Sequence, residues 1–138
     1  KPFANVMKAT YLKSDGYKTR FGDKVVVPDD FHLALEVFGK RIAFTHGHMT
    51  TGGGDIWNKI EKWWKGQMYG WLPAGMCEIL VTGHYHHLRV VEQLGRTWFQ
   101  APSLDQSDEF KARTGNMTRN GVLSFTVNKD GWDNLKIL

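Results

Sequence analysis

The sequence predicts an α/β domain with a mixed β-sheet, and three features of the hydrophobic pattern carry this prediction. Two short apolar runs, residues 42–44 and 79–81, are separated by one amphipathic helical segment. Each run ends in a loop of glycine and histidine, which is typical of a strand end that exposes a ligand site in an α/β sheet. Downstream of the second loop the apolar pattern changes to short strands joined by tight turns, which indicates hairpins.

The composition of the chain fits one domain that can bury a core. It has 138 residues, of which 41% are hydrophobic, including six Trp and eight Phe. The formal net charge of +4 is compatible with an anionic substrate, nucleic acid included, but does not identify a nucleic-acid-binding protein. Cys77 has no second cysteine with which to pair, and no segment reads as a signal peptide or a membrane-spanning helix. We predict a single domain over residues 1–138, in the cytoplasm and without a membrane partner.

The part of the chain before the first histidine loop is predicted to contain a short strand and a hairpin. Residues 25–27 form the short strand, which a Pro-Asp-Asp turn closes. Residues 33–38 and 42–44 are the strands of the hairpin, with a tight turn at Gly39-Lys40. The second strand of this hairpin leads into the first histidine loop.

One helix is predicted between the two histidine loops. Asp55 is an N-cap candidate at the end of a glycine-rich stretch, and the helix follows over residues 56–65. Its apolar face consists of Ile56, Ile60, Trp63 and Trp64. The order strand, helix, strand predicts two adjacent strands joined by a crossover.

The remaining strands are predicted to form two hairpins after the second histidine loop. Their strands are residues 88–94 with 97–100, and residues 121–127 with 132–138. Gly95-Arg96 provides the turn of the first hairpin, and an Asn-Lys-Asp-Gly sequence provides the turn of the second. A polar loop is predicted over residues 101–120.

Five of the six histidines lie in the two loops that follow the apolar runs. The first loop contains His46 and His48, and the second contains His84, His86 and His87. Imidazole is the commonest metal ligand among side chains, since its lone pair is available near neutral pH. In an extended backbone His84 and His86 point the same way, so they are expected to share a cavity, whereas His87 is expected to be exposed. The pattern therefore predicts a metal site at these loops, with Gly83 allowing a sharp turn before His84.

The two loops resemble the last two motifs of the calcineurin-like metallophosphoesterases. Residues 45–48 read Thr-His-Gly-His after an apolar strand, and residues 82–86 read Thr-Gly-His-Tyr-His, with 38 residues from His46 to His84. The resemblance covers roughly residues 37–127. It implies the C-terminal half of a four-layer α-β-β-α sandwich.

The resemblance also implies a site for two divalent metal ions, bridged by a carboxylate and by water or hydroxide. His46 and His84 match ligands of the second metal, His86 matches a ligand of the first, and His48 is expected beside the ligands or the substrate. Two such ions neutralise a phosphate group and lower the pKa of a bound water. Histidine accepts Mn, Fe, Zn, Co and Ni, so the sequence does not identify the metal. It identifies no substrate-binding residue either.

Three further motifs precede these loops in that family and supply the bridging carboxylate, the remaining ligands and a general-acid histidine. The 45 residues before His46 do not contain this set, so no catalytic residue is identifiable in the chain. We expect the N-terminal half of the enzyme to come from another segment or a second chain. The predicted function is hydrolysis of a phosphoester, with a phosphodiester as the expected substrate class, and this chain alone is expected to be inactive.

Two alternative functions remain open at this point. Some members of that family serve as non-catalytic interaction scaffolds, and a chain without the bridging carboxylate is compatible with that role. A mononuclear zinc hydrolase with three histidine ligands is the other alternative. It requires the nitrogens of His46, His84 and His86 within bonding distance of one ion, whereas the family pattern divides them between two.

Overall fold

The computed structural model describes residues 30–48, 54–104 and 119–138. The predicted strand at residues 25–27 and most of the predicted polar loop lie outside the described residues. The chain divides into two compact units, Lys1–Leu33 and Ala34–Leu138. In chain order the described elements are β1 (His32–Val37), β2 (Lys40–Thr45), α1 (Ile56–Tyr69), a 3₁₀ helix (Pro73–Met76), β3 (Ile79–Thr82), β4 (Arg89–Gln93), β5 (Arg96–Gln100), β6 (Leu123–Asn128) and β7 (Gly131–Ile137).

Five of these strands form one mixed sheet in the order β1-β2-β3-β5-β4. β3 pairs in parallel with β2 on one side and with β5 on the other, and β4 runs antiparallel to β5. The parallel strands β2 and β3 are connected through α1, because a parallel pair needs a crossover rather than a tight turn. The predicted mixed α/β architecture is therefore confirmed.

Helix α1 begins at the predicted residue but ends at Tyr69 rather than at residue 65. Asp55 is the N-cap, since its Oδ1 accepts a hydrogen bond of 2.8 Å from the backbone N–H of Trp57. The helix continues through Gly66, a residue that weakens but does not stop a helix, and ends where Gly70 caps it. Within the described ranges, no helix combines the length and the apolar content that crossing a membrane would require.

The sheet has a core on each face. On one face, Ile60 and Trp64 of α1 are buried against side chains of the sheet, with the Trp64 indole N–H donating to the Ala74 carbonyl at 2.8 Å. The members of this core are Ala43, Ile60, Trp64, Ala74, Cys77, Leu80 and Trp98. Of the predicted apolar helix face, Ile56 and Trp63 pack partly buried against it. The helix therefore covers the sheet as expected.

The opposite face of the sheet packs against the hairpin of β6 and β7, which form a separate two-stranded sheet. Phe99 is fully buried there and stacks on Phe125 with ring centroids 4.6 Å apart. The indole N–H of Trp132 donates to the Thr97 hydroxyl at 2.8 Å, which joins the hairpin to β5. This face corresponds to the contact between the two inner layers of the predicted sandwich.

Both predicted turns of the mixed sheet lie one residue earlier than the sequence indicated. Phe38 and Gly39 have φ of 51° and 77°, and Leu94 and Gly95 have φ of 53° and 71°. Two successive residues with positive φ are typical of a type I′ turn, whose twist matches that of the flanking strands. The first position of such a turn is usually Asn, Asp or Gly. Phe38 and Leu94 are unusual there, so the sequence did not indicate the position of either turn.

Candidate metal centre

The two histidine loops meet where β2 and β3 end. Thr45 lies opposite Thr82 in the parallel register, so the residues that follow each strand emerge at the same edge of the sheet. The carbonyl oxygen of His46 accepts hydrogen bonds from the backbone N–H groups of Gly83 at 3.3 Å and His84 at 2.8 Å. These bonds extend the pairing of the two strands into the loops, which is the usual place for a ligand site in such a sheet.

The imidazole rings of His46 and His84 lie edge to face at this edge of the sheet, with centroids 4.9 Å apart and planes at 70°. His46 Nε2 lies 3.1 Å from His84 Nδ1. The ring centroid of His48 is 5.4 Å from that of His46 and 6.4 Å from that of His84. The predicted proximity of His46 and His84 is thus confirmed, and His48 lies beside them. Their roles at a metal stay predictions.

Both rings are exposed, and partial desolvation is the main cause that lowers the pKa of His46 and His84. The charges of His48 and His86 add to this effect on His46, and those of His46, His48 and His86 add to it on His84. The lowered pKa favours the unprotonated ring, which is the form that offers a lone pair to a metal. His86 therefore interacts electrostatically with both rings.

The second histidine loop is not extended, so the expected alternation of His84 and His86 along an extended backbone was wrong. His84 and Tyr85 form a turn, and His86 has a φ of 58°. The backbone N–H of His86 donates to the Gly83 carbonyl at 3.4 Å. Because alternation of side chains holds only in an extended strand, it does not explain how His86 comes near His84.

His87 is half-buried and hydrogen-bonded, so the prediction that it is exposed was wrong. Its Nδ1 lies 2.7 Å from the Tyr85 carbonyl oxygen, and the Arg89 Nε–H donates to its Nε2 at 2.8 Å. The Gln100 side-chain amide donates to the His87 carbonyl at 2.7 Å. Since Nε2 accepts, the ring proton of His87 resides on Nδ1 and is donated to Tyr85.

The two glycines that precede histidines in the loops differ in their surroundings. Gly47 has a φ of 93°, and a Cβ placed there would lie 3.4 Å from the Thr82 Cβ and 3.5 Å from the His84 Cβ. Gly83 has no positive φ, and a Cβ there would meet no atom within 4 Å. The backbone requirement for glycine expected at Gly83 is therefore found at Gly47 instead, because of its positive φ and not because of a lack of space.

Buried polar side chains that were not predicted from the sequence lie beneath the second loop. The Trp98 indole N–H donates to the Thr82 hydroxyl at 2.9 Å. Gln100 is fully buried, and its Oε1 has no hydrogen-bond partner while its amide nitrogen is bonded to His87. A glutamine ending the apolar run of β5 was the signal that could have identified this support.

His32, the histidine outside both loops, has a largely buried side chain. Its side chain is 8% exposed, and its Nδ1 lies 3.6 Å from the Asp30 carboxylate. Residues 30–32 read Asp-Phe-His, which are the letters of one of the three earlier family motifs, Asp-X-His. The other two, Gly-Asp-X-X-Asp and Gly-Asn-His, do not occur in the sequence, so the missing ligand set is not restored.

The described side chains fit part of a divalent metal site. Two nitrogen ligands on one ion, each bound at roughly 2 Å, lie about 3 Å apart, which matches the 3.1 Å between His46 Nε2 and His84 Nδ1. In residues 30–48, 54–104 and 119–138, no group of three or more His, Cys, Asp or Glu is arranged to hold a metal. The described side chains therefore do not support a three-histidine mononuclear site.

Comparison with solved structures identifies the fold. Vps29 from Entamoeba histolytica in complex with Zn²⁺ aligns with a TM-score of 0.54 and 17% identity, covering 73% of this chain and 49% of that chain. A single mutant of the same protein aligns with a TM-score of 0.54 and 18% identity, covering 72% and 49%. An uncharacterized protein from Streptococcus pneumoniae, named a predicted phosphoesterase, gives a TM-score of 0.46 and 15% identity over 93% and 82%.

The two alignments with Vps29 show that the chain has a Vps29-like fold. The chain spans about half the length of these Vps29 chains, since it covers 49% of each. At this level of identity the similarity concerns the fold, and the Zn²⁺ belongs to the Vps29 structure. No known protein family and no curated protein matches the sequence.

Proposed function

We propose that this chain forms the C-terminal part of a metal-dependent phosphoesterase, in which His46, His84 and His86 bind two divalent metal ions. The observation that carries the proposal is the 3.1 Å approach of His46 Nε2 to His84 Nδ1 where two parallel strands end. The family resemblance assigns these two histidines to the same metal, and their ring nitrogens lie close enough to share one ion. The Vps29-like fold supports the same assignment.

In this proposal the residues of the chain bind and orient, and they do not transfer protons. The His46 carbonyl, which accepts from Gly83 and His84, fixes the distance between the two loops. His48 is assigned a contact with a ligand or with the substrate. When bound, the two ions would neutralise the phosphoester and lower the pKa of a water molecule. A phosphodiester is the substrate class that we propose.

We also propose that a further polypeptide segment completes the site and supplies the general acid and the bridging carboxylate. The motif set is incomplete in the sequence, and the chain covers 49% of the Vps29 chains it matches. On the sheet face that packs against β6 and β7, Leu35 and Phe44 are each 37% exposed. Alternation along β1 and β2 puts them on the same face as the core residues Val37 and Ile42. A partly covered apolar face of this kind favours a further packed element.

Metal titration by calorimetry tests the ligand assignment. Without competing chelators, Zn²⁺ or Mn²⁺ should bind the protein. His46→Ala or His84→Ala should weaken binding by more than about tenfold, since the loss of a group that only orients a metal ligand already lowers the affinity about 10- to 100-fold. Tyr69→Ala, which changes a side chain that is 75% exposed at the end of α1, is the control and should leave the affinity unchanged. Equal affinity in the wild type and both alanine variants would contradict the assignment.

Activity and mass measurements test the further segment. The purified chain should hydrolyse an activated phosphodiester slowly or not at all, because its described residues hold too few ligands for two cations. Robust turnover by this chain alone, abolished by a chelator, would contradict the proposal. So would a native mass of 15.8 kDa in light scattering, combined with unchanged stability when Leu35 and Phe44 are replaced by Ser.

A non-catalytic interaction scaffold is the second candidate function. It is favoured by the lack of a three-ligand metal group among the described residues and by apolar side chains exposed after α1. Tyr69 is 75% exposed and Trp71 is 83% exposed, and single exposed aromatic residues of this size are common in interfaces. Metal titration separates the two candidates, because a scaffold needs no cation between His46 and His84.

A further inference from the structure

We propose that Arg89 is a positioning residue for the second histidine loop, and that it acts through His87. The inference rests on the proposed function, because this loop carries His84 and His86. Arg89 begins β4, two residues beyond His87, and no family motif includes it. Its side chain contacts His87 on one side and the N-cap of α1 on the other.

The contact with His87 determines where the imidazole proton resides. The Arg89 Nε–H donates to His87 Nε2 at 2.8 Å, and an arginine cannot accept a hydrogen bond. His87 Nε2 must therefore be unprotonated, and Nδ1 carries the proton that is donated to the Tyr85 carbonyl at 2.7 Å. Tyr85 follows His84 directly, so this bond joins the His87 ring to the turn that carries His84.

The guanidinium is held in place from its other side by helix α1. Arg89 Nη1 lies 3.4 Å from the Asp55 carboxylate, whose other oxygen caps the helix through the Trp57 N–H. Guanidinium has several donors in a fixed plane, so one group can serve His87 and Asp55 together. A lysine ammonium is a compact charge on a flexible stem and is a poor substitute in such a fork.

The carbonyl of His87 is fixed from below by Gln100, whose buried amide donates to it at 2.7 Å. Arg89 fixes the orientation and the protonation of the His87 ring next to this backbone contact. It also occupies Nε2, which keeps His87 from competing with His84 and His86 for a metal ion.

Nitrogen NMR of the histidine rings, recorded on the metal-free protein, tests this inference directly. In the wild type His87 should show the form protonated at Nδ1. Arg89→Ala should give a mixture of both tautomers, and Arg89→Lys should not restore the single form. Arg119→Ala is the matched control, since the Arg119 guanidinium donates to the Ile137 carbonyl at 3.3 Å and not to a histidine.

Metal titration supplies the second readout. Arg89→Ala should lower the affinity for Zn²⁺ by about tenfold, the lower end of the effect of groups that orient metal ligands. If Arg89→Ala does not fold, Asp55→Asn keeps a helix cap and removes the ion pair, and it should still broaden or split the His87 signals. An unchanged His87 tautomer in the folded variants overturns the inference. A wild type that binds no metal overturns the proposed function instead, and the tautomer measurement still decides the role of Arg89.

Discussion

The first histidine loop is held by its backbone, whereas the second is held by side chains. In the first loop Gly47 adopts a φ of 93°, which residues with a side chain rarely adopt, and it lies against Thr82 and His84. The second loop rests on Gln100 and is fastened by Arg89 through His87. The first loop therefore depends on the lack of a side chain, and the second depends on the presence of several.

This difference shows that one sequence pattern has two physical meanings. Both loops contain glycine followed by histidine, and the sequence alone gives no reason to treat Gly47 and Gly83 differently. Only Gly47 occupies a conformation that other residues adopt at a cost. Substitutions that add or remove one side chain can therefore separate the two kinds of support.

The largest effect is expected from removing the support beneath the second loop. Gln100→Ala should lower the free energy of unfolding by about 2–4 kcal/mol, because it leaves a cavity at a fully buried position and an unpaired His87 carbonyl. Denaturant unfolding measures this loss. Gln100→Met is the matched control and should cost less, since it keeps most of the volume and removes the unpaired Oε1. Equal losses in both variants would show that the carbonyl contact, and not the filled volume, dominates.

An intermediate effect is expected from adding a methyl group to the first loop. Gly47→Ala should destabilise the fold by about 1–3 kcal/mol, since an alanine at positive φ is strained. Gly83→Ala is the matched control, and its effect should stay within about 0.5 kcal/mol because the added methyl group meets open space. If denaturant unfolding gave the two variants the same stability, the contrast between the loops would be refuted.

The smallest effect is expected at Asp55, and it should depend on pH. The hydrogen bond from the Trp57 N–H is the main cause that lowers the pKa of Asp55, and Arg89 adds to it. A carboxyl group with a lowered pKa in the folded state stabilises that state above its unfolded pKa, about 4 for Asp, and loses this contribution as pH falls through the lowered value. Asn also caps helices, so the stability difference between the wild type and Asp55→Asn should be largest near neutral pH and disappear in acid. Thermal unfolding across this range checks the sign, and a difference that grows in acid would contradict it.

The fold is largely predictable because its elements leave local signals in the sequence. The apolar runs before the two histidine loops, the Asp55 cap and the final hairpin were all identified, and each depends on residues close in the chain. The two turns were displaced by one residue because Phe38 and Leu94 are unusual at the first position of a type I′ turn. Helix α1 extends four residues beyond its predicted end, because Gly66 weakens a helix without stopping it and the cap lies at Gly70.

The site is only partly predictable because its geometry depends on contacts between distant elements. His46 and His84 follow strands, and a strand end is visible in the sequence. The prediction for His87 was wrong because it assumed an extended backbone, which the positive φ of His86 excludes. The contact of Arg89 with Asp55 joins residues 34 positions apart, so no local sequence pattern predicts it.

The hydrogen bond between the His46 carbonyl and the His84 amide has a consequence for the time course of folding. It joins positions 38 residues apart, with α1 in the interval. Closing such a span lowers the chain entropy before the contact contributes any favourable free energy. Protection of the His84 amide from hydrogen exchange should therefore appear late during refolding. The two rings would meet only when β2 and β3 pair, because the paired residues of these strands are separated by a similar length of chain.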